Sequence, residues 1–318
     1  MSKTRENSQD QDVEPEIVSA PMQSLFEVTK LRSLRSSLPS HLPPVNSAEE
    51  DVISRGLLPL EEAEKLFAFF SQRINNFLWG GIALVHSNLS SVRQSSSVLA
   101  TAILAVAALH VPGRSDIFDT CYSAFITVLS KTIYNRYHSL DEIRGLAIGA
   151  FWLSDLSWLL SGHAVRVATE IGLHQGLRKM LRGDINQFER AQLWYLLYVC
   201  DHHFSIAYNR PPVIHGSEGI ADYERFLQHP SAGPGDVRLL AQVVLFLNLT
   251  NAYHQFGAHT EQPLEESAFH LLRSCNIQLD TWRMDWEPKS GMRGFPEAIS
   301  HCTYKVSSGQ SIHWFLSF

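Results

Sequence analysis

SWLLSGHAVRVATEIGLHQGL, from Ser157 to Leu177, and FERAQLWYLLYVCDHHFSIAYNRPPVI, from Phe188 to Ile214, decide the fold of this chain. In the first, Trp158, Leu159, Val165, Ala168 and Ile171 return at helical spacing; in the second, Phe188, Leu193, Trp194, Leu197 and Tyr198 do so. That period lays an apolar stripe along one side of an α-helix. Both segments close on a stop. Gly172 tolerates left-handed backbone, and Pro211-Pro212 removes two successive amide donors. Asn186 followed by Glu189 resembles an N-terminal cap for the second helix.

Helical signals continue outward in both directions. Pro59 suits a first turn, Glu61, Glu62 and Glu64 follow near the positive end of the helix dipole, and Ala63, Leu66, Phe67, Phe70, Ile74, Phe77 and Leu78 recur until Gly80-Gly81. The spacing predicts a helix over 95–110, apolar on most faces and therefore central, stopped by Pro112-Gly113, and another over 116–137. Ser139 with Glu142 is a capping-box pair opening a helix towards Leu153. Two long helices are expected over 236–256 and 264–282. No run alternates strictly, so the expected fold class is all-α, a multi-helix domain, with no repeat of solenoid length.

The expected organisation has four parts. Residues 1–20 form a disordered acidic tail. Residues 21–48 hold a docked helix, with Leu25, Phe26, Val28, Leu31 and Leu34 on one face, and a Pro/Ser linker. Residues 49–302 are the all-α domain. Residues 303–318 are an atypical tail: Val306-Ser307 is what a translated splice donor encodes, and His313 to Phe318 has no polar finish, so incomplete splicing is the expectation.

Composition narrows the function. The chain has 318 residues, 18% of them charged, and a net charge of -6, so there is no basic stripe to grip a phosphate backbone. Arg178, Lys179 and Arg182 come nearest and read as a solvated loop or helix end. No direct DNA binding is expected of this chain alone. The four cysteines, Cys121, Cys200, Cys275 and Cys302, are dispersed, which argues against a disulfide framework and a zinc module. The first twenty residues carry no secretory signal, and Val98 to Val111, the longest apolar run, is too short to span a bilayer. A soluble intracellular protein without a membrane partner is expected.

Several residues invite a catalytic reading. Cys200, Asp201, His202 and His203 are consecutive, but adjacent helical residues point about 100° apart and cannot converge on one metal. Cys200 is expected to pack inward, with Asp201 and the histidines in polar contacts at the helix end. Arg166 and Glu170 are spaced to pair along one face. His174, just beyond Gly172, is placed to satisfy terminal carbonyls. Ser161-Gly162-His163 lacks the glycine pattern of a nucleophile elbow. The expectation is no enzyme, no catalytic residue, no metal ligand and no cofactor in this chain.

The two segments resemble the middle homology region of fungal zinc-cluster (Zn₂Cys₆) transcription factors. That family's pattern is a Trp, a Gly-x-Ala-x-Arg-x-Ala core and a Gly-Leu-His, matched here from Trp158 through Gly162, Ala164, Arg166 and Ala168 to Gly172-Leu173-His174. Leu193-Trp194-Tyr195 through Asp201 is similar to its Leu-Trp-Trp…Asp helix, and Arg210-Pro211-Pro212 to its Gly-Arg-Pro-Pro stop. Pro21 to Arg35 and Asp51 to Gly56 also look like this family, so the resemblance spans roughly Met22 to Trp282. Asn209 stands where the family has Gly, and His202 where it has Arg.

The resemblance implies an all-α regulatory domain controlling RNA polymerase II transcription in the nucleus. Its implied structural signature is Trp158, Gly162, Arg166, Glu170, Gly172, His174, Trp194, Asp201, Arg210 and Pro211. The family's six-cysteine DNA reader, where zinc would sit, is absent from this sequence. The implied partners are proteins of the transcription machinery or a full-length homologue, with a small-molecule effector as a further ligand. The alternative is a standalone helical interaction protein that sequesters or co-regulates such a homologue.

Overall fold

The computed structural model describes residues 51–133, 135, 137–215, 220, 222–256 and 268–290. The expected acidic tail, docked helix, linker and C-terminal tail lie outside them.

Eleven α-helices carry the described fold: α1 (Leu60–Phe69), α2 (Leu89–Ser95), α3 (Ser97–Leu109), α4 (Ser115–Thr132), α5 (Leu140–Trp152), α6 (Ser157–Glu170), α7 (Gly176–Leu181), α8 (Phe188–Ala207), α9 (Tyr223–Leu227), α10 (Pro234–Phe256) and α11 (Ala268–Ser290). The all-α expectation holds, and no strand occurs among the described residues. The packing order is α4–α3–α5–α6–α8–α10–α11, each helix lying against the next. At its heart is α3, where every residue from Val98 to Ala108 is buried.

Several boundaries differ from the expected ones for identifiable reasons. The helix expected over 95–110 is broken at Ser96, whose backbone is extended and whose side chain accepts the Leu99 amide as the N-cap of α3. Helix α1 tightens and widens before its end, passing into a π-turn over Phe70–Ile74 and a 3-10 turn over Asn75–Phe77. This irregular ending turns Phe77 outward, 78% exposed, although the spacing counted it with the buried stripe. Helix α4 stops at Thr132. Arg178, Lys179 and Arg182, expected at a loop or helix end, lie at the end of the short helix Gly176–Leu181.

Ser139 caps α5 by accepting the Glu142 amide at 3.0 Å, as expected of half a capping box. The Glu142 carboxylate instead accepts a hydrogen bond from His138 Nδ1 at 2.9 Å. Upstream of α8 the capping residue is Asp184, whose carboxylate accepts the Asn186 amide at 3.2 Å. Asn186 itself falls inside the 3-10 turn Ile185–Gln187, one turn too late to cap. Among the described residues, no single helix is long and apolar enough to cross a membrane.

Candidate functional site

The end of α8 shows how sequence becomes geometry. Asn209 adopts left-handed backbone, φ 52°. The Asn209 amide donates to the Ile206 carbonyl at 3.2 Å and the Arg210 amide to the Ser205 carbonyl at 2.8 Å. These two bonds make a Schellman stop, with Asn in the place glycine usually takes. Pro211 and Pro212 then supply no donors, and the next two amides are captured together: Val213 and Ile214 both donate to Asp201 Oδ2, at 2.8 and 2.7 Å. Asp201 is thus the anchor that folds the chain after the stop back onto α8. It is 1% exposed, and burial pushes its carboxyl up to about 6 against the pull of those two amides.

The neighbours of Asp201 point elsewhere. Cys200 is fully buried, and burial drives its thiol up to about 12. His202 accounts for its Nδ1 within its own helix, 3.0 Å from the Tyr198 carbonyl, and stacks on the Tyr198 ring at 3.9 Å. His203 lies among Phe151, Phe204 and Phe246. Burial pushes both imidazoles down to about 4. Of the polar contacts expected near the helix end, Asp201 makes its own with the segment that follows the helix and His202 bonds the Tyr198 carbonyl within it, whereas His203 packs among aromatic rings. No group of three His, Cys, Asp or Glu side chains among the described residues is arranged to hold a metal ion.

The first signature segment behaves differently along its length. Gly172 has φ 80° and turns the chain out of α6. The terminal carbonyl of Ile171 accepts a hydrogen bond from the Arg190 guanidinium, reaching over from α8. His174 turns its ring edge-on to Trp194, 6.0 Å between centroids. Arg166 and Glu170 are both exposed, and no ion pair joins them among the described contacts. A Cβ added at Gly162 would meet nothing within 4 Å, so that glycine is not needed for close packing. Trp158 and Arg210 do meet: the guanidinium stands 5.0 Å over the indole. Pro211 is exposed.

Two cavities share Trp194 in their walls. One, about 650 Å³, is lined by residues of α7 (Leu177, Arg178 and Leu181), by Arg182, and by Ile214, Ile220, Asp222 and Arg225. The other, about 420 Å³, adds Val165, Arg166 and Thr169 from α6 and Val213. His174, Trp194, Ile214 and His215 face both. Asp201 does not line either cavity, but it fixes Val213 and Ile214, which do. Three signature residues, Arg166, His174 and Trp194, thus converge on one place, whereas helical geometry alone predicts that they scatter. Leu173 and Gly172 supply the turn that makes the convergence possible.

Sequence reasoning missed a second polar centre. Arg144, 3% exposed within the apolar α5, bonds Asp141 at 2.6 Å and also Glu189 of α8. Asp141 further accepts from Ser95, and His86 Nε2 lies 2.8 Å from it. Burial works against ionising Asp141, but the bonds from Ser95 and His86 and the charge of Arg144 overcome it and hold the carboxyl below its usual range. The available signal was Asp141 and Arg144, three residues apart at the start of a helix that is apolar from Gly145 onward. Arg182 and Arg225 were missed as cavity residues because nothing in a single sequence brings α7 and α9 together.

An all-α domain whose signature residues shape a turn, an anchor and a cavity wall is the class of protein defined by this fold and site. The chain belongs to the family of the middle domain of the transcriptional activator of proteases prtT, whose family model matches residues 56–289. It is 58% identical over 290 residues to the transcriptional activator of proteases prtT of Emericella nidulans, covering 90% of this chain and 44% of that protein. It is 22% identical to protein priB of Lentinula edodes, covering 84% of this chain and 46% of the relative. To the prtT activator of Aspergillus clavatus it is also 22% identical, over 78% of this chain and 39% of the relative. The chain therefore spans less than half the length of these relatives. No solved structure matches it.

Proposed function

We propose that this chain is a regulatory domain of a fungal transcription factor, acting on RNA polymerase II transcription in the nucleus. The carrying observation is the 58% identity to a transcriptional activator of proteases, extending over 90% of this chain. The acidic net charge of -6 supports a role that leaves DNA reading to another segment or protein. The domain acts by binding proteins of the transcription machinery, a full-length homologue or a small effector, with no catalysis of its own. Any such ligand works by preferring one helical packing over another.

A domain exchange tests this. Residues 46–318 replace the matching segment of the Emericella nidulans relative, and secreted-protease transcripts are measured under inducing and repressing conditions. Retained regulation is expected. A chimera that is abundant and nuclear yet leaves transcription unregulated overturns the proposal, as does purified chain that binds promoter DNA unaided.

A further inference from the structure

The cavity of about 650 Å³ beside Trp194 has two chemically distinct parts. Its apolar side is made by Trp194, Ile214, Ile220 and Leu177, all buried. Its polar side carries Arg178, Arg182 and Arg225, with Asp222 as the one carboxylate among the described lining residues. This concentration of positive charge runs against a chain whose net charge is -6. The three guanidiniums come from different places: Arg178 lies in α7, Arg182 just after it and Arg225 in α9. All three are solvent-exposed in the described structure. Arg182 and Arg225 can turn onto an anion without being dragged from a buried position first. Guanidinium forks match carboxylate and phosphate oxygens in paired hydrogen bonds. The volume is in the range that small-molecule sites occupy, about 300–1,000 Å³. The second cavity, about 420 Å³, contributes Val165, Val213 and a fourth guanidinium, Arg166.

We propose that this cavity binds a small amphipathic anion, its carboxylate or phosphate group against Arg178, Arg182 and Arg225 and its apolar body against Trp194. The site rests on the regulatory reading only in calling that molecule an effector; binding itself is read without transcription, so the two stand or fall separately. Ile214, which Asp201 pins to α8, is the part of the wall that a bound apolar body would pack against.

Isothermal titration calorimetry on the full chain tests the site with octanoate and octyl phosphate as probes and octylamine as the cationic counterpart of equal chain length. Saturable binding of at least one anion is expected, weakening with added salt, with octylamine not binding. Binding of octanoate alone assigns a carboxylate ligand and of octyl phosphate alone a phosphate ligand. The double variant Arg182→Gln/Arg225→Gln is expected to weaken anion binding roughly tenfold or more while its melting temperature stays near that of the parent. Both residues are exposed, so the variant keeps its fold. Equal binding of octylamine, an unchanged affinity in the double variant, or no binding of either anion overturns the proposal.

Discussion

Arg210 stands 5.0 Å over the indole ring of Trp158, so the residue that follows the α8 stop clasps the first turn of α6. Tyr208 closes the third side, 6.3 Å from Trp158 and 5.9 Å from the guanidinium. A cation over an aromatic face at a partly exposed site contributes about 0.5–1 kcal/mol. In a urea double-mutant cycle of Arg210→Ala and Trp158→Leu, a coupling of that size is expected. A coupling indistinguishable from zero would show that the stack is an accident of crowding.

Asp201→Ala should cost far more. It strands the Val213 and Ile214 amides, which are otherwise held at 2.8 and 2.7 Å. Two charge-assisted bonds in a buried place support a loss of about 3 kcal/mol or more. Because Ile214 walls both cavities, the variant should also expose the Trp194 side to faster amide exchange over 213–215. Wild-type exchange rates there, in a folded variant, would contradict the anchoring role.

Acid should destabilise this domain as pH falls below about 6.5. His202 and His203 are pushed from 6.5 to about 4 in the fold. The unfolded chain therefore binds more protons between those values, and stability present near neutrality drains away as pH falls from about 6.5 to about 4. Asp201 works the other way: its carboxyl is raised from 3.8 to about 6, so the folded state binds the extra proton and gains on acidification. Among these three groups one histidine's contribution, on the order of 3 kcal/mol, is left after that opposition, while burial also lowers His163 and raises Glu142, which act in opposite directions. Unfolding free energies at pH 7.5 and pH 4.5 should differ by about this much in the parent and by much less in His203→Phe. Superimposable profiles would remove His203 from the account.

Much of this was legible because helices announce themselves locally. The Ser139 cap, the Gly172 turn and the Asn209-Arg210-Pro211-Pro212 stop each depend on residues within a few positions of one another. The break at Ser96 was hidden because Ser95, Ser96 and Ser97 are all candidate caps for the apolar run that begins at Val98, and only the extended backbone shows which one is used. The cavities were hidden for a stronger reason. Trp194, Arg166 and His174 could be singled out, but Arg182 and Arg225 reach the same space only through packing of α7 and α9 around α8, which no spacing encodes. The burial of Arg144 was equally out of sight, because its partner Glu189 sits in another helix.

Arg144 ties α5 to α8 through Asp141 and Glu189. Arg144→Leu leaves the buried Asp141 carboxylate with Ser95 and His86 but without its fixed positive charge. Breaking one side of a buried pair costs about 3–5 kcal/mol, and replacing both partners by apolar residues often recovers much of that. Asp141→Leu/Arg144→Leu should therefore be more stable than Arg144→Leu alone. The single variant unfolding like the parent in urea would show that the arginine contributes no net pairing energy.

Two glycines on neighbouring helices should respond to alanine with opposite signs. A Cβ at Gly145 of α5 would lie 2.8 Å from the Leu99 Cα and amide nitrogen and 2.9 Å from the Val98 carbonyl carbon, all backbone of α3. Backbone cannot step aside as a side-chain tip can, so α3 and α5 must separate along the most buried contact in the domain. The overpacking cost is about 1–3 kcal/mol, set against a helix-propensity gain of about 1 kcal/mol, and loss wins. At Gly162 of α6 a Cβ meets nothing within 4 Å, and only the propensity gain remains. Gly162→Ala is expected to raise the melting temperature by a few degrees and Gly145→Ala to lower it. Should Gly162→Ala destabilise instead, the methyl group is not accommodated and the open space beside α6 is closed in the folded domain.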